Sequence, residues 1–265
     1  MNEDKYFVPD VTKKGTTNYS APALEKGLDI LELLCHSESP LSSKEISKRI
    51  DRTTSSLYRM IMCLVDRGYL VNIDDRYTIT TKIFELAHVN PPTHLLLTES
   101  LPIMKTLANE LNQSCHLTLY SMGKQIVLAK VENPSGMGFS VRVGAELDVL
   151  VSISGRVLLA FQDKFTRKER IIESIRRQPE QEDPQLEMTL ETIKARGFDS
   201  APSVQVRGLY AISFPILDSR GNAMAALTIP YAERIDLQKR RSISSIEEKL
   251  SDAAKLLTKR VGGKY

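Results

Sequence analysis

The run Arg52-Thr53-Thr54-Ser55-Ser56-Leu57-Tyr58-Arg59 gathers the side chains of this sequence best suited to hold a nucleic acid. Short hydroxyls and free backbone N–H groups at a helix start bind phosphate oxygens. An arginine on the outer face of such a helix reaches a guanine edge, and a tyrosine meets a thymine methyl or a phosphate. Other groupings carry less. Cys115 and His116 are neighbours in a stretch that reads as a strand, so their side chains point to opposite faces and cannot form a nucleophile–base pair. Ser152 and Ser154 lie outside any Gly-x-Ser-x-Gly elbow. Gly136-Met137-Gly138 lacks the third glycine and the following helix of a nucleotide loop and reads as a turn. His36, His88, His94 and His116 have no metal-ligand spacing. Arg142 and Arg156 are the cations that could meet an anionic small molecule. No catalytic residue, metal or cofactor is expected.

The elements around the hydroxyl run form a recognisable device. Leu41, Ile46 and Ile50 recur at helical spacing, with Ser42 or Ser43 as the N-cap. Asp51-Arg52 interrupts the pattern. Thr53 then caps a second helix with Leu57, Met60, Ile61 and Leu64 inward and Ser55, Arg59, Met62 and Asp66 outward, Tyr58 lying on the flank. Gly68 ends it. Residues 69–79 read as a β-hairpin turning at Asp74-Asp75. Two helices followed by such a hairpin make a winged helix-turn-helix. Its expected DNA contacts are Lys44, Arg52, Thr53, Thr54, Ser55, Ser56, Tyr58, Arg59 and, near the hairpin tip, Arg76.

The chain is long enough, at 265 residues, for two modest domains, and its net charge of +3 is mild. Asp29, Glu32, Glu38, Glu45 and Asp51 nearly balance the cations of the DNA-binding segment, so binding must rest on local placement of charge. Cys35, Cys63 and Cys115 read as reduced, buried thiols of a cytoplasmic protein. Neither a signal peptide nor a long apolar run is visible, so no membrane span is expected.

The expected organisation is a flexible tail over 1–20, the winged helix-turn-helix over 21–81, a linker helix and linker over 82–94, and an α+β domain over 95–265. In the helix at 24–35, Leu24, Leu28, Leu31 and Cys35 form one stripe, while Ile30, Leu33 and Leu34 lie off it and suggest contact with a second copy of the chain. Asn90-Pro91-Pro92 marks the boundary, with helix resuming at 95–111 and Pro102 near its start. The second domain shows strands at 115–120, 125–132, 139–143, 209–217 and 223–230, helices at 154–161, 167–175 and 185–196, and a closing helix at 237–261.

Several blocks, in this order and spacing, are specific: APALEKGLDILELL at the first helix, RTTSSLYRMIMCLVDRGYL at the recognition helix, DDRYTIT at the wing, then ISGRVLLAF, KARGF and GLYAISFPILDSRGNAMAALTIPY. From about Ala21 to about Val261 the sequence resembles the IclR family (isocitrate-lyase-regulator type) of bacterial transcription factors. The resemblance implies a winged-helix N-terminal domain, a GAF-like α/β effector-binding C-terminal domain, and homodimers or homotetramers on palindromic operators. It places the recognition-helix start on Arg52 to Ser56, the family's frequent arginine on Arg59, and Tyr58 where histidine is common. Backbone N–H groups that hold an effector carboxylate in the small-ketoacid-responsive members fall on Ile153 and Ser154, before Gly155, and the following lysine is replaced by Arg156. The family's acidic cluster falls on Ala201, Pro202, Ser203 and Val204, its pocket cysteine on Ala211, and its two late-strand serines on Thr228 and Pro230. The expected effector-binding set is Phe139, Arg142, Ile153, Ser154, Gly155, Ala211, Ser213 and Thr228. With three polar contacts of that pattern gone, a larger or more apolar effector fits better than a small keto acid.

The reading is therefore a DNA-binding regulator, more a repressor than an activator, that controls a catabolic operon in response to a small organic acid. The alternative is a small-molecule-metabolising enzyme with a helical dimerisation domain.

Overall fold

In the computed structural model the chain divides into two compact units, residues 1–90 and 91–265. The residues described are 21–89, 91–233 and 241–265; the tail expected over 1–20 lies outside them.

The first unit opens with α1 (Pro22–Cys35), started by a proline whose missing N–H costs nothing in a first turn. Its inward residues are Ile30 and Leu34, whereas Leu24 and Leu28 are 63% and 47% exposed. Ile30 and Leu34, expected toward a second copy, are thus core residues, and Leu24 and Leu28 of the first stripe are open, while Leu31 and Leu33 both pack half-buried against the core. Both stripes repeat at helical spacing, and only the position of the neighbouring helices decides which one is covered. Leu41 also departs from expectation. It lies in a two-residue strand, β1 (Leu41–Ser42), that pairs with the wing, Leu41 opposite Tyr77. Ser42 then caps α2 (Ser43–Arg49) through a reciprocal box with Glu45: the Glu45 N–H donates to Ser42 Oγ (3.3 Å), and the Ser42 N–H donates to Glu45 Oε2 (2.8 Å).

Asp51, in the left-handed region at φ 51°, turns the chain into α3 (Thr54–Asp66). Gly68, at φ 75°, ends that helix with N–H bonds from Gly68 to Val65 O and from Tyr69 to Leu64 O. The hairpin of β2 (Leu70–Ile73) and β3 (Arg76–Ile79) follows, completing a sheet of order β1-β3-β2. Asp74 and Asp75 both have positive φ, 50° and 59°, which matches a type I′ hairpin turn. Ile30, Leu34, Leu41, Ile46, Leu57, Ile61, Leu70 and Tyr77 form the core. The unit closes with α4 (Lys82–Val89).

The second unit begins with α5 (Pro91–Leu111). The residues expected to be linker up to 94 are its first turn, which tolerates proline because its N–H groups have no intrahelical acceptor anyway. Pro102 is interior rather than initial. The packing of Leu96, Met104, Leu107 and Leu111 into the core outweighs the hydrogen bond it removes.

A six-stranded antiparallel sheet of order β6-β5-β4-β9-β8-β7 is the centre of this unit. Its strands are β4 (Cys115–Ser121), β5 (Lys124–Val131), β6 (Glu146–Leu147), β7 (Asp199–Pro202), β8 (Leu209–Leu217) and β9 (Ala223–Ala232). The short edge strands β6 and β7 escaped the sequence reading. Residues 139–143, expected as a strand, form no ladder, because Glu146 and Leu147 pair with the outer edge of β5 instead. Helix α5 and the closing helix α9 (Ile243–Arg260) cover one face through Leu117, Ile212, Phe214, Leu227, Ile246 and Leu250. Helix α9 starts at its cap Ser242, later than expected; residues 237–240 lie outside the described set.

The other face is covered by α6 (Ile153–Ala160), backed by α7 (Lys164–Arg177) and α8 (Leu186–Arg196). Arg167 is buried and clamps this layer. It pairs with Glu187 (2.8 Å) and Glu191, and its Nη2 donates to Ala160 O (3.0 Å). Of the three cysteines only Cys115 is buried. Cys35 and Cys63 are exposed, contrary to expectation, because they fall on outward helix positions.

Candidate nucleic-acid interface and ligand cavity

Helix α3 presents its N-terminal end to solvent. Thr53 has the extended backbone of a cap but no capping hydrogen bond from its side chain, its Oγ1 lying 3.4 Å from Ser55 Oγ. Ser56 Oγ donates to Thr53 O (2.8 Å). The start of the helix therefore keeps unsatisfied N–H groups beside exposed hydroxyls, an arrangement that accepts a phosphate. Tyr58 is 57% exposed, and Arg59 is exposed with no hydrogen bond or ion pair among the described residues. Arg52 faces Asp29 at 3.9 Å, too far to hold it firmly. Lys44 is exposed on α2.

Arg76 is differently placed. It follows the turn, but its Nη1 donates to Pro40 O (2.8 Å) and lies 3.2 Å from Glu45 Oε2. Hydrogen bonds from Ser42, and then the Arg76 charge, hold the Glu45 carboxyl below its usual range. Arg76 thus ties the hairpin to the start of α2, and the tip itself carries only Asp74 and Asp75.

In the second unit a cavity of about 270 Å³ opens between the start of α6, the strands β4, β8 and β9, and the segments around Phe139 and Ser203. Of the residues expected there, Phe139, Ile153, Ser154, Ala211 and Thr228 line it. Arg142 is exposed and outside the lining. Gly155 sits one step behind the wall, where a Cβ would fall 2.3 Å from Val149 O. Ser213 is fully buried behind Thr228, their hydroxyls 2.9 Å apart. Arg156 points away, its Nε donating to Asp199 Oδ2 (2.9 Å).

Sequence reasoning passed over His116, Leu147, Val151, Ser152, Val206 and Leu209 on this wall. Only strand alternation offered a hint for His116, since it placed that ring opposite Cys115, whose Sγ donates to Met104 O on the α5 side. His116 is 5% exposed, and burial pushes its imidazole down to about 4, so the ring is neutral. Ser152 caps α6, accepting the Gly155 N–H at 3.0 Å. The N–H groups of Ile153 and Ser154 have no intrahelical acceptor and carry the positive end of the helix dipole. No Asp, Glu, Lys or Arg lines the cavity, so a ligand anion would find its partial positive charge in the backbone. Among the described residues no group of three or more His, Cys, Asp or Glu could hold a metal, and no helix is long and apolar enough to cross a membrane.

A winged helix-turn-helix joined to a second, cavity-bearing α/β unit defines a class of two-part DNA-binding regulators. Residues 23–73 match the IclR helix-turn-helix domain and residues 93–259 the bacterial transcriptional regulator IclR C-terminal domain, and the chain belongs to the IclR family of transcriptional regulators. It is a DNA-binding transcriptional regulator, and the family is not one of enzymes. Among similar proteins is the HTH-type transcriptional regulator KdgR of Escherichia coli, 24% identical over 220 residues, covering 80% of this chain and 82% of that one. The Pca regulon regulatory protein of Pseudomonas putida is 22% identical over 212 residues, 78% of this chain and 73% of that one. An IclR homolog from Microbacterium hydrocarbonoxydans, solved in complex with 4-hydroxybenzoate, shares the fold with a TM-score of 0.72 at 21% identity, covering 90% of this chain and 98% of that one. The Thermotoga maritima IclR structure gives 0.66 at 22% identity, with the same coverage.

Proposed function

We propose that the chain is a cytoplasmic repressor of a catabolic operon, released from or rearranged on its operator by a small organic acid bound in the second unit. The observation that carries this reading is the cavity: its wall is mostly apolar and holds no Asp, Glu, Lys or Arg, and it meets the unsatisfied N–H groups that open α6. Such a site suits a carboxylate on a compact apolar body. The Microbacterium homolog crystallised with 4-hydroxybenzoate is consistent with that chemistry. Residues 21–89 serve as the DNA-binding part, with Lys44, Arg52, Thr53 to Ser56, Tyr58 and Arg59 toward the duplex and Arg76 as a brace. Leu24, Leu28 and Leu86, large and exposed in that small unit, support assembly with a second copy. A two-fold assembly reads a palindrome whose half-sites lie about ten base pairs apart, or a multiple of that.

Fluorescence anisotropy on the DNA upstream of the protein's own gene tests the reading. Saturable, sequence-specific binding is expected, weakened by one member of a panel of aromatic and sugar acids. Arg59→Ala should lower the specific affinity by about 1–3 kcal/mol while leaving nonspecific binding nearly unchanged. A reporter under that upstream DNA should be derepressed when the gene is deleted. Specific binding that no organic acid shifts would remove the effector assignment, and absence of specific binding at every salt concentration would remove the operator assignment.

A further inference from the structure

We propose that His116 is the residue that reads a hydroxyl group on the effector, so that the cavity selects hydroxy-acids over the same acids without the hydroxyl. The inference rests on the cavity being the effector site and adds the identity of its second polar anchor.

The ring of His116 is nine-tenths buried and lines the cavity wall. Its Nδ1 has no hydrogen-bond partner, and no hydrogen bond among the described residues engages the ring. Of the other polar side chains on the wall, Ser154 belongs to the opening turn of α6 and Gln205 is exposed to solvent, and the remaining three are engaged. Thr228, its cross-strand neighbour, is bonded to Ser213. Ser152 accepts the Gly155 N–H, and Ser203 Oγ accepts the N–H groups of Gln205 and Val206. Buried polar groups in native proteins are almost always paired, and an unpaired ring bordering a cavity is a group whose partner a ligand can supply once the ring turns its free nitrogen toward it. A neutral imidazole brings one donor and one acceptor. A hydroxyl can answer either, so the argument holds for both tautomers and both ring orientations. The start of α6 offers only donors and suits the carboxylate. The two anchors lie on different elements, β4 and α6, and an apolar wall of Phe139, Val151 and Leu209 lines the rest. The ligand class that follows is a hydroxy-carboxylate on a flat or compact apolar frame.

Matched pairs of acids test this on the full-length protein by isothermal titration calorimetry: 4-hydroxybenzoate against benzoate, and 4-hydroxyphenylacetate against phenylacetate. In the wild type, the hydroxylated member of at least one pair is expected to bind about tenfold tighter or better. In His116→Phe the two members should bind within about twofold of each other, the deoxy acid retaining its wild-type affinity. The variant replaces a buried, unpaired polar ring by an apolar one of similar size, so its melting temperature should not fall. Should it fail to fold, His116→Leu carries the same comparison. Equal affinities within every wild-type pair, or a hydroxyl preference that survives in His116→Phe, would overturn the role of His116 while leaving the organic-acid reading intact. Failure of all four acids to bind would overturn the hydroxy-acid assignment on an aromatic frame, and failure of the sugar acids as well would overturn the organic-acid reading.

Discussion

The neutral ring of His116 ties stability to pH in a direction that can be worked out. The unfolded chain takes up a proton near 6.5, whereas burial holds the folded ring neutral down to about 4. Between those values the unfolded state binds more protons, so this residue lowers stability as the pH falls through that window and has no effect above it. Denaturant unfolding of wild type and His116→Phe should show the wild type losing about 2 kcal/mol more than the variant between pH 7 and pH 4.5; parallel losses would place the ring in a better-solvated site. Little of this residue's situation could be read from the sequence. Alternation told which way the ring points relative to Cys115, but its lack of a partner depends on Thr228 bonding to Ser213, two strands that meet only in the folded sheet. Arg59 was legible because the helical repeat around Leu57 and Ile61 sends it outward whatever the tertiary context. Arg76 was legible only as a cation near a hairpin tip; its tie to Pro40 O and Glu45 depends on β1 joining the wing.

At the scale of elements, α6 is the part whose placement the cavity depends on. Its second turn packs on the sheet through Val157 and Leu158, and its first turn is pressed against the backbone at Val149, where a Cβ on Gly155 would come within 2.3 Å of the carbonyl oxygen. A backbone atom cannot be nudged aside as a side chain can. Gly155→Ala should therefore cost about 1–3 kcal/mol of stability and displace the helix start from the cavity. Effector affinity should fall sharply while operator binding in the absence of effector persists, which calorimetry and anisotropy on one preparation would separate. Element boundaries were legible where a cap announces them. Ser42 was one of two cap candidates in the sequence, its box with Glu45 emerging only in the structure, and Ser152 and Ser242 cap helices expected with starts shifted by a few residues. They were obscure where two readings share one pattern. Leu41 fits a helical repeat and a strand equally well, Pro91 can end one helix or begin another, and residues 139–143 have strand composition but no free edge to pair with.

At the scale of the whole molecule, the two-part organisation was the most legible feature, because a winged helix-turn-helix has a fixed order of elements and X-Pro-Pro marks a break. What the sequence misassigned was the exposed stripe of α1. Leu24 and Leu28 face outward, and Ile30 and Leu34 build the core, so the assembly proposed above would use the Leu24–Leu28 stripe. Leu28→Glu places a charge on that stripe without touching the core. In light scattering it should shift the assembly toward monomer, and because one winged helix then reads one half-site alone, operator affinity should fall by at least about tenfold. An unchanged mass would locate the self-association in the second unit.

The paired aspartates at the hairpin turn carry a consequence for how this protein finds its sequence. Most wings bring cations to the duplex and gain much of their affinity from releasing the ions condensed along it. A tip bearing Asp74 and Asp75 does the opposite, because two carboxylates near a phosphate backbone retain counterions. With the proposed contacts, the recognition helix would contribute most of the attraction, general adhesion to the genome would be weak, and the search would be trapped less on unrelated DNA.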